Sequence, residues 1–308
     1  MGRLAAALLL LAAASQGAVH YVTVAGIGGE ADYEQRFTNW AKDLDKALRG
    51  SGGDIQVRTL TGAEATKAKM AETLGAVAGE AKPDDTFVLT LIGHGSYDGQ
   101  DYKFNLKGPD CTAIEIAAWC DRVPAGRQLV VNMTSASGAS ISALQRANRG
   151  VISATKSGTE KNATAFARYW VEALRDPAAD ADKNETVTAL EAFQYADRKT
   201  VTFFEQQKRL ATEHAVIEDT GKGDAVRAPS TENGQGQLVG RFALLRLGST
   251  QKAAADPAKQ KLLARREQIE GAIDKLKYEK AAMPQQDYRR KLSALLLELA
   301  QLQEELDK

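Results

Sequence analysis

Two short runs constrain this chain more than any other stretch. Residues 86–96 read TFVLTLIGHGS and residues 128–138 read QLVVNMTSASG. Each is an apolar block that ends in small and polar residues. Val88, Leu89, Leu91 and Ile92 in the first, and Leu129, Val130 and Val131 in the second, show no polar alternation. Strands of that kind are buried on both faces, as in parallel sheets covered by helices. In such sheets chemistry gathers beyond the C-terminal ends of the strands. One run ends there in Gly93-His94-Gly95 and the other in Ser135-Ala136-Ser137-Gly138. The pair His94 and Ser135 therefore reads as a base and a nucleophile, or as the remains of such a pair.

The surrounding pattern agrees. Residues 20–27 (HYVTVAGI) and 54–60 (DIQVRTL) read as strands. Between them Phe37, Trp40, Leu44 and Leu48 mark the apolar face of a helix over 31–49. A helix over 63–81 leads to the first key strand. An alternating Tyr102, Phe104 and Leu106 then predicts a hairpin arm, and 112–120 a short helix. After the second key strand come a helix over 139–147, a strand at 150–154, a helix over 163–174 and one more strand within 238–247. The order is that of a mostly parallel sheet with helices on both faces. The polar, glycine-rich stretch 221–236 reads as a mobile loop.

The ends of the chain are different. Arg3 followed by an apolar run over 4–14 and then Ser15-Gln16-Gly17 is the pattern of a secretory signal peptide cleaved near Gly17. The expected location is secreted or periplasmic. No later run is apolar enough to span a bilayer. Lys plus Arg and Asp plus Glu both number 40, which gives no basic face for nucleic acid. Cys111 and Cys120 either pair or remain free thiols. From Asp256-Pro257 onward Leu262, Ile269 and Leu276 recur every seven residues. Tyr288, Leu292, Leu295, Leu299, Leu302 and Leu306 follow at steps of four and three. This predicts an α-helical hairpin over 256–308 with a coiled-coil seam, serving as a strut or as an arm for a partner or for self-association.

A second constellation lies at 180–191 (DADKNETVTALE). Asp180, Asp182, Asn184, Thr186, Thr188 and Glu191 fall at the ligand positions of an EF-hand loop, with a terminal glutamate able to bind Ca²⁺ through both oxygens. Glu185 stands where that loop wants glycine. The same acids would also suit the N-terminus of a helix. No other cofactor is called for.

The chain resembles the caspase-like clan of cysteine peptidases, and within it the legumain (C13) group. The resemblance rests on Val24-Ala25-Gly26 after the first strand, His94-Gly95, Ser135-Ala136-Ser137-Gly138, and Ser153-Ala154-Thr155. It covers roughly 19–174 within an expected α/β domain over 18–250. It implies a mostly parallel six-stranded sheet, His94 as the base, and Gly95, Ser137 and Gly138 around an oxyanion site and groove. Arg36 falls near the position of a specificity-pocket arginine, or is a solvent-facing helix residue. The departure is at the nucleophile, where Ser135 stands in place of cysteine. A thiol is partly ionised near neutral pH and a serine hydroxyl is not. The resemblance therefore implies a pseudopeptidase that binds a peptide or protein partner. A Ser135–His94 hydrolase and a Ca²⁺-responsive interaction module are the rival readings.

Overall fold

The computed structural model describes residues 17–308; the leader expected at 1–17 lies outside them except for Gly17. A six-stranded sheet forms the centre. Its order is β10 (Val216–Glu218), β8 (Arg149–Ser153), β7 (Arg127–Asn132), β3 (Thr86–Ile92), β1 (Val19–Ala25), β2 (Ile55–Leu60). All neighbours are parallel except β10, which runs antiparallel to β8. The six-stranded, mostly parallel sheet expected from the sequence is the one observed.

Both faces of this sheet are covered, which is why the central strands lack alternation. On one face Val88, Ile92, Leu129 and Val131 pack with Phe37, Ala41, Leu44 and Leu48 of α1 (Ala31–Arg49). Phe166 and Trp170 of α5 (Phe166–Ala173) join them. On the other face Phe87, Leu89, Leu91 and Val130 pack with Met70, Leu74 and Val77 of α2 (Lys67–Glu80) and Ile116 of α3 (Ala113–Cys120). A hydrogen-bonded pair, His20 Nε2 and Asp85 Oδ2 at 3.2 Å, ties the starts of β1 and β3 at the end remote from His94.

Three local expectations change. The sixth strand of the sheet is β10, at three residues too short a segment to stand out in the sequence. The segment at 238–247 instead forms a 3₁₀ turn at Val239–Arg241 and then β11 (Ala243–Arg246), outside the main sheet. The helix expected at 139–147 is a 3₁₀ turn, Ser137–Ser140, followed by the single turn α4 (Ile141–Leu144). The loop at 221–236 is fastened at both ends. The Asp219 carboxylate accepts from the N–H groups of Gly236, Leu238 and Val239, and the Gln235 side chain accepts from the Asp219 N–H at 2.7 Å. Cys111 and Cys120 are both free and buried.

After β11, α7 (Gly248–Ala255) leads into α8 (Gln260–Glu279) and α9 (Gln285–Leu306). The two long helices run antiparallel. Arg265 pairs with Glu298, and Lys259 Nζ reaches the Leu306 carbonyl at 2.6 Å. The hairpin is fixed to the α/β body by Arg246, whose guanidinium meets Glu267 at 2.8 and 3.2 Å, and by the Tyr278 hydroxyl, which donates to the Gln235 carbonyl. Among the described residues no helix is long and apolar enough to cross a membrane.

One buried charge organises the edge beside β8. Arg149 is 1% exposed. It donates to Asp121 Oδ1 at 2.7 Å, the Leu144 carbonyl at 2.8 Å and Gln128 Oε1 at 2.9 Å. Gln128 in turn donates to the carbonyls of Cys120 and Val123. Arg149→Met keeps much of the volume but strands these acceptors. We expect a loss of about 2–4 kcal/mol in urea unfolding; a midpoint equal to wild type would show that the network contributes nothing.

Candidate functional site

The sheet reverses its direction of growth between β1 and β3: β2 lies to one side of β1, while β3, β7 and β8 follow on the other. Such a switch point leaves a crevice at the strand tips, because the connecting loops diverge there. His94 follows β3 directly at this point. Its ring meets Tyr33 and Phe37 of α1 edge-on, with centroids 4.8 and 5.1 Å away. Burial lowers the pKa of the imidazole, while the Gly28 backbone and Glu30 act in the opposite direction. Burial among aromatic neighbours thus favours the neutral ring.

Ser135 lies at the tip of the adjacent β7 and is 2% exposed. Its hydroxyl makes no hydrogen bond among the described residues, to His94 or to any other group. The backbone around it is tightly held. Ala136, the next residue, takes a left-handed conformation with φ 54°, a strained state for a residue with a Cβ. Its N–H donates to the Glu160 carbonyl at 2.7 Å. Beneath the loop lies a buried hydroxyl cluster. Ser153 Oγ donates to Ser137 Oγ at 2.8 Å, and Ser137 Oγ lies 3.2 Å from Thr155 Oγ1. The Gly138 N–H donates to Thr155 Oγ1 at 2.9 Å.

The small residues therefore serve a closer purpose than lining a groove. A Cβ on Gly95 would lie 2.4 Å from the Ser135 carbonyl oxygen and 2.6 Å from Thr134 Oγ1. A Cβ on Gly138 would lie 2.3 Å from the Ser157 N atom. Both glycines let one strand-tip loop lie against the next. The Ser137 hydroxyl and the Gly138 N–H, expected at an oxyanion site, spend their hydrogen bonds inward on Ser153 and Thr155. Arg36 is half exposed and pairs with Asp32 on its own helix. It also lies over the Tyr33 ring, 5.4 Å from its centroid, and so stands one aromatic ring away from His94.

A second pair, remote in sequence, meets beside this site. Glu160 and His214 are 54 residues apart, yet His214 Nδ1 is hydrogen-bonded to Glu160 Oε1 and the His214 N–H donates to Glu160 Oε2 at 3.1 Å. Glu160 also supplies the carbonyl that holds Ala136. This pair thus fixes the backbone beside Ser135. The neighbouring Glu213 is buried and accepts from the N–H groups of Ala165 and Phe166 at 2.7 and 3.2 Å.

The loop at 180–191 is separate from this site. The Asp180 carboxylate accepts from the Asn184 and Glu185 N–H groups at 3.2 and 3.1 Å, and Asn184 Oδ1 accepts from the Thr186 N–H at 2.9 Å. Residues β9 (Thr186–Thr188) pair with β11, and α6 (Ala189–Gln206) begins at once. Carboxylate oxygens of Asp180, Asp182 and Glu191 lie within 4.8 Å of one another. Glu185 adopts φ 62°, the left-handed conformation for which glycine is the usual residue. Its carboxylate accepts from the Thr250 N–H at 2.9 Å and thereby caps α7, which accounts for an acid at that position. The helix start is capped by the Thr188–Glu191 capping box, and not by Asp180 or Asp182, whose carboxylates accept from N–H groups within the loop. Thr186 and Thr188 place their backbone in β9, and the Thr188 hydroxyl is engaged by Glu191.

No family model matches the sequence, and no curated protein matches it. Solved structures do. A crystal structure from Geobacter sulfurreducens is 12% identical, with a TM-score of 0.46, over 76% of this chain and all of its own. The Drosophila initiator caspase Dronc is 13% identical, TM-score 0.42, over 67% of this chain and 82% of its own. Caspase-1 from Spodoptera frugiperda is 13% identical, TM-score 0.45, over 67% and 86%.

Glu213 generates a pH prediction. Burial raises its pKa to about 7, with the two backbone donors opposing and Glu160 and Asp197 adding repulsion. A carboxyl raised in the folded state contributes stability that is fully present below its unfolded value, about 4.3, and lost as pH rises through about 7. Buried Glu270 behaves in the same way. In thermal melts between pH 5 and pH 8, Glu213→Gln is expected to shrink the fall in Tm without abolishing it. An unchanged fall would rule out Glu213 as a contributor.

Proposed function

We propose that this chain is an exported, peptidase-like scaffold of the caspase and legumain type that binds an extended peptide or protein segment at the His94 and Ser135 strand tips without hydrolysing it. One observation carries the reading: the Ser135 hydroxyl has no hydrogen-bonded base, and the His94 ring is set among Tyr33 and Phe37 with no carboxylate hydrogen-bonded to orient it. A thiolate would need little from such a histidine. A serine must lose its proton during attack, which requires a base aligned on the hydroxyl and a group that fixes that base. The switch-point position of the loops and the aromatic wall of Tyr33 and Phe37 beside Arg36 support binding of a peptide backbone and a side chain there. Export rests on the leader pattern at 1–17.

The test uses two reactive probes. Wild type is expected to resist an active-site-directed fluorophosphonate. Ser135→Cys is expected to gain one thiol that reacts with iodoacetamide at pH 7.5. The background is silent, because burial pushes the thiols of Cys111 and Cys120 up to about 12. Fluorophosphonate labelling of wild type that disappears in Ser135→Ala would instead establish a serine hydrolase and end the pseudopeptidase reading.

A second reading concerns the loop at 180–191. The convergence of Asp180, Asp182 and Glu191 on one space supports a Ca²⁺ site there, with Asn184 and the Thr186 backbone as further oxygen donors. Burial and then the Glu191 charge raise the pKa of Asp182, and Asp180 and the hairpin's Asp274 add to this. A divalent cation would relieve that repulsion. Isothermal calorimetry is expected to show one site that vanishes in Glu191→Gln; no heat at millimolar Ca²⁺ would leave Asp180 and Asp182 as loop-fastening acids and Glu191 as part of a helix cap.

A further inference from the structure

Helix α9 carries two stripes on opposite faces. The inner one, Tyr288, Leu292, Leu295, Leu299, Leu302 and Leu306, includes the buried Leu302 and Leu306. The outer one is Arg290, Ser293, Leu297, Ala300 and Glu304, again at steps of three and four, which puts these residues in line along a helix. Leu297 is 63% exposed and its neighbour Leu296 48%, two of the five exposed large hydrophobic residues in the described chain.

The outer stripe sets opposite charges at equal distances from Leu297. Arg290 and Glu304 each lie seven residues from Leu297, on opposite sides. Ser293 and Ala300 are small residues on either side of it. The charges also oppose the helix dipole. Arg289, Arg290 and Lys291 lie in the N-terminal half and Glu304, Glu305 and Asp307 in the last turns, whereas an isolated helix favours the reverse. Arg290 pairs only with Asp287 of its own helix, with its side chain 75% exposed. Glu304 makes no ion pair among the described residues. An arrangement that is unfavourable for one helix is favourable for two placed antiparallel, since each basic half then lies against an acidic half and the dipoles are opposed.

We propose that the outer face of α9 docks on the same face of a second copy of this chain, antiparallel and with a two-fold axis at Leu297. Leu297 meets Leu297 of the second copy, Ser293 falls opposite Gln301, and Arg290 meets Glu304, each polar contact formed twice. This is the self-complementarity that an isologous interface demands. The small residues at 293 and 300 allow close approach of the helices. The stripe is about 21 Å long and about 10 Å wide, a patch of roughly 200 Å², well short of the roughly 800 Å² per partner of a standard interface. The dimer is therefore weak and dependent on concentration. The inference does not depend on the chemistry at Ser135.

Sedimentation velocity of the full chain, from about 5 to about 500 µM, tests it. Wild type is expected to move from monomer toward dimer across that range. R290E and E304R should each weaken association about tenfold or more, and the double variant R290E/E304R should recover it, since its charges again alternate across the dyad. E304R improves the match to the helix dipole, so its loss of association would not come from a frayed helix; far-UV circular dichroism checks this. Leu297→Glu should abolish the dimer. Wild type that stays monomeric throughout, or a double variant no better than either single one, overturns the proposal.

Discussion

Strand β3 shares its backbone hydrogen bonds with β1 on one side and β7 on the other, and all seven of its side chains are buried. This two-sided burial is the constraint from which the rest follows. A strand with no solvent face needs helices on both sides of the sheet, and parallel neighbours need crossovers to return the chain. Polar chemistry is then excluded from the strands and confined to the loops at their tips. One residue separates His94 from the end of β3, and two separate Ser135 from the end of β7.

How close those loops lie is set by atoms that carry no chemistry of their own. Gly95 presents hydrogen where any side chain would strike the Ser135 carbonyl. Ala136 is held in a left-handed turn by the Glu160 carbonyl, and Glu160 is held by His214. The hydroxyls of Ser137, Ser153 and Thr155 satisfy one another in a space too buried for water to do so. A site built in this way is tightly packed and held by its own backbone. It leaves the Ser135 hydroxyl without the aligned base that hydrolysis by serine requires.

The C-terminal hairpin belongs to the same body rather than hanging from it. Arg266 of α8 donates to the Asn184 carbonyl in the acidic loop and to Thr250 Oγ1. Glu270 and Asp274 on the same helix add negative potential near Asp182. A cation bound at 180–191 would therefore be felt by the hairpin, and through α8 by the helix that presents the outer face of α9.

Much of this was legible in the residue pattern. The short, β-branched blocks at 86–92 and 129–131, without polar alternation and closed by small residues, pointed to a buried parallel sheet, because their length and flanks suit a strand better than a buried helix. The glycines and hydroxyls behind those blocks marked the strand tips, and the acid spacing at 180–191 marked a loop, since each depends only on neighbouring residues. Tertiary structure alone decided the rest. The three-residue β10 is a strand only because β8 offers it an edge. The stretch at 238–247, apolar enough for the sheet, was diverted to β9 by the Asp219 carboxylate that holds its start. Glu160 and His214 meet across 54 residues, and Glu185 takes a glycine's conformation because α7 needs its carboxylate. Such pairings depend on which surfaces the folded chain brings together, and no local sequence window contains both partners.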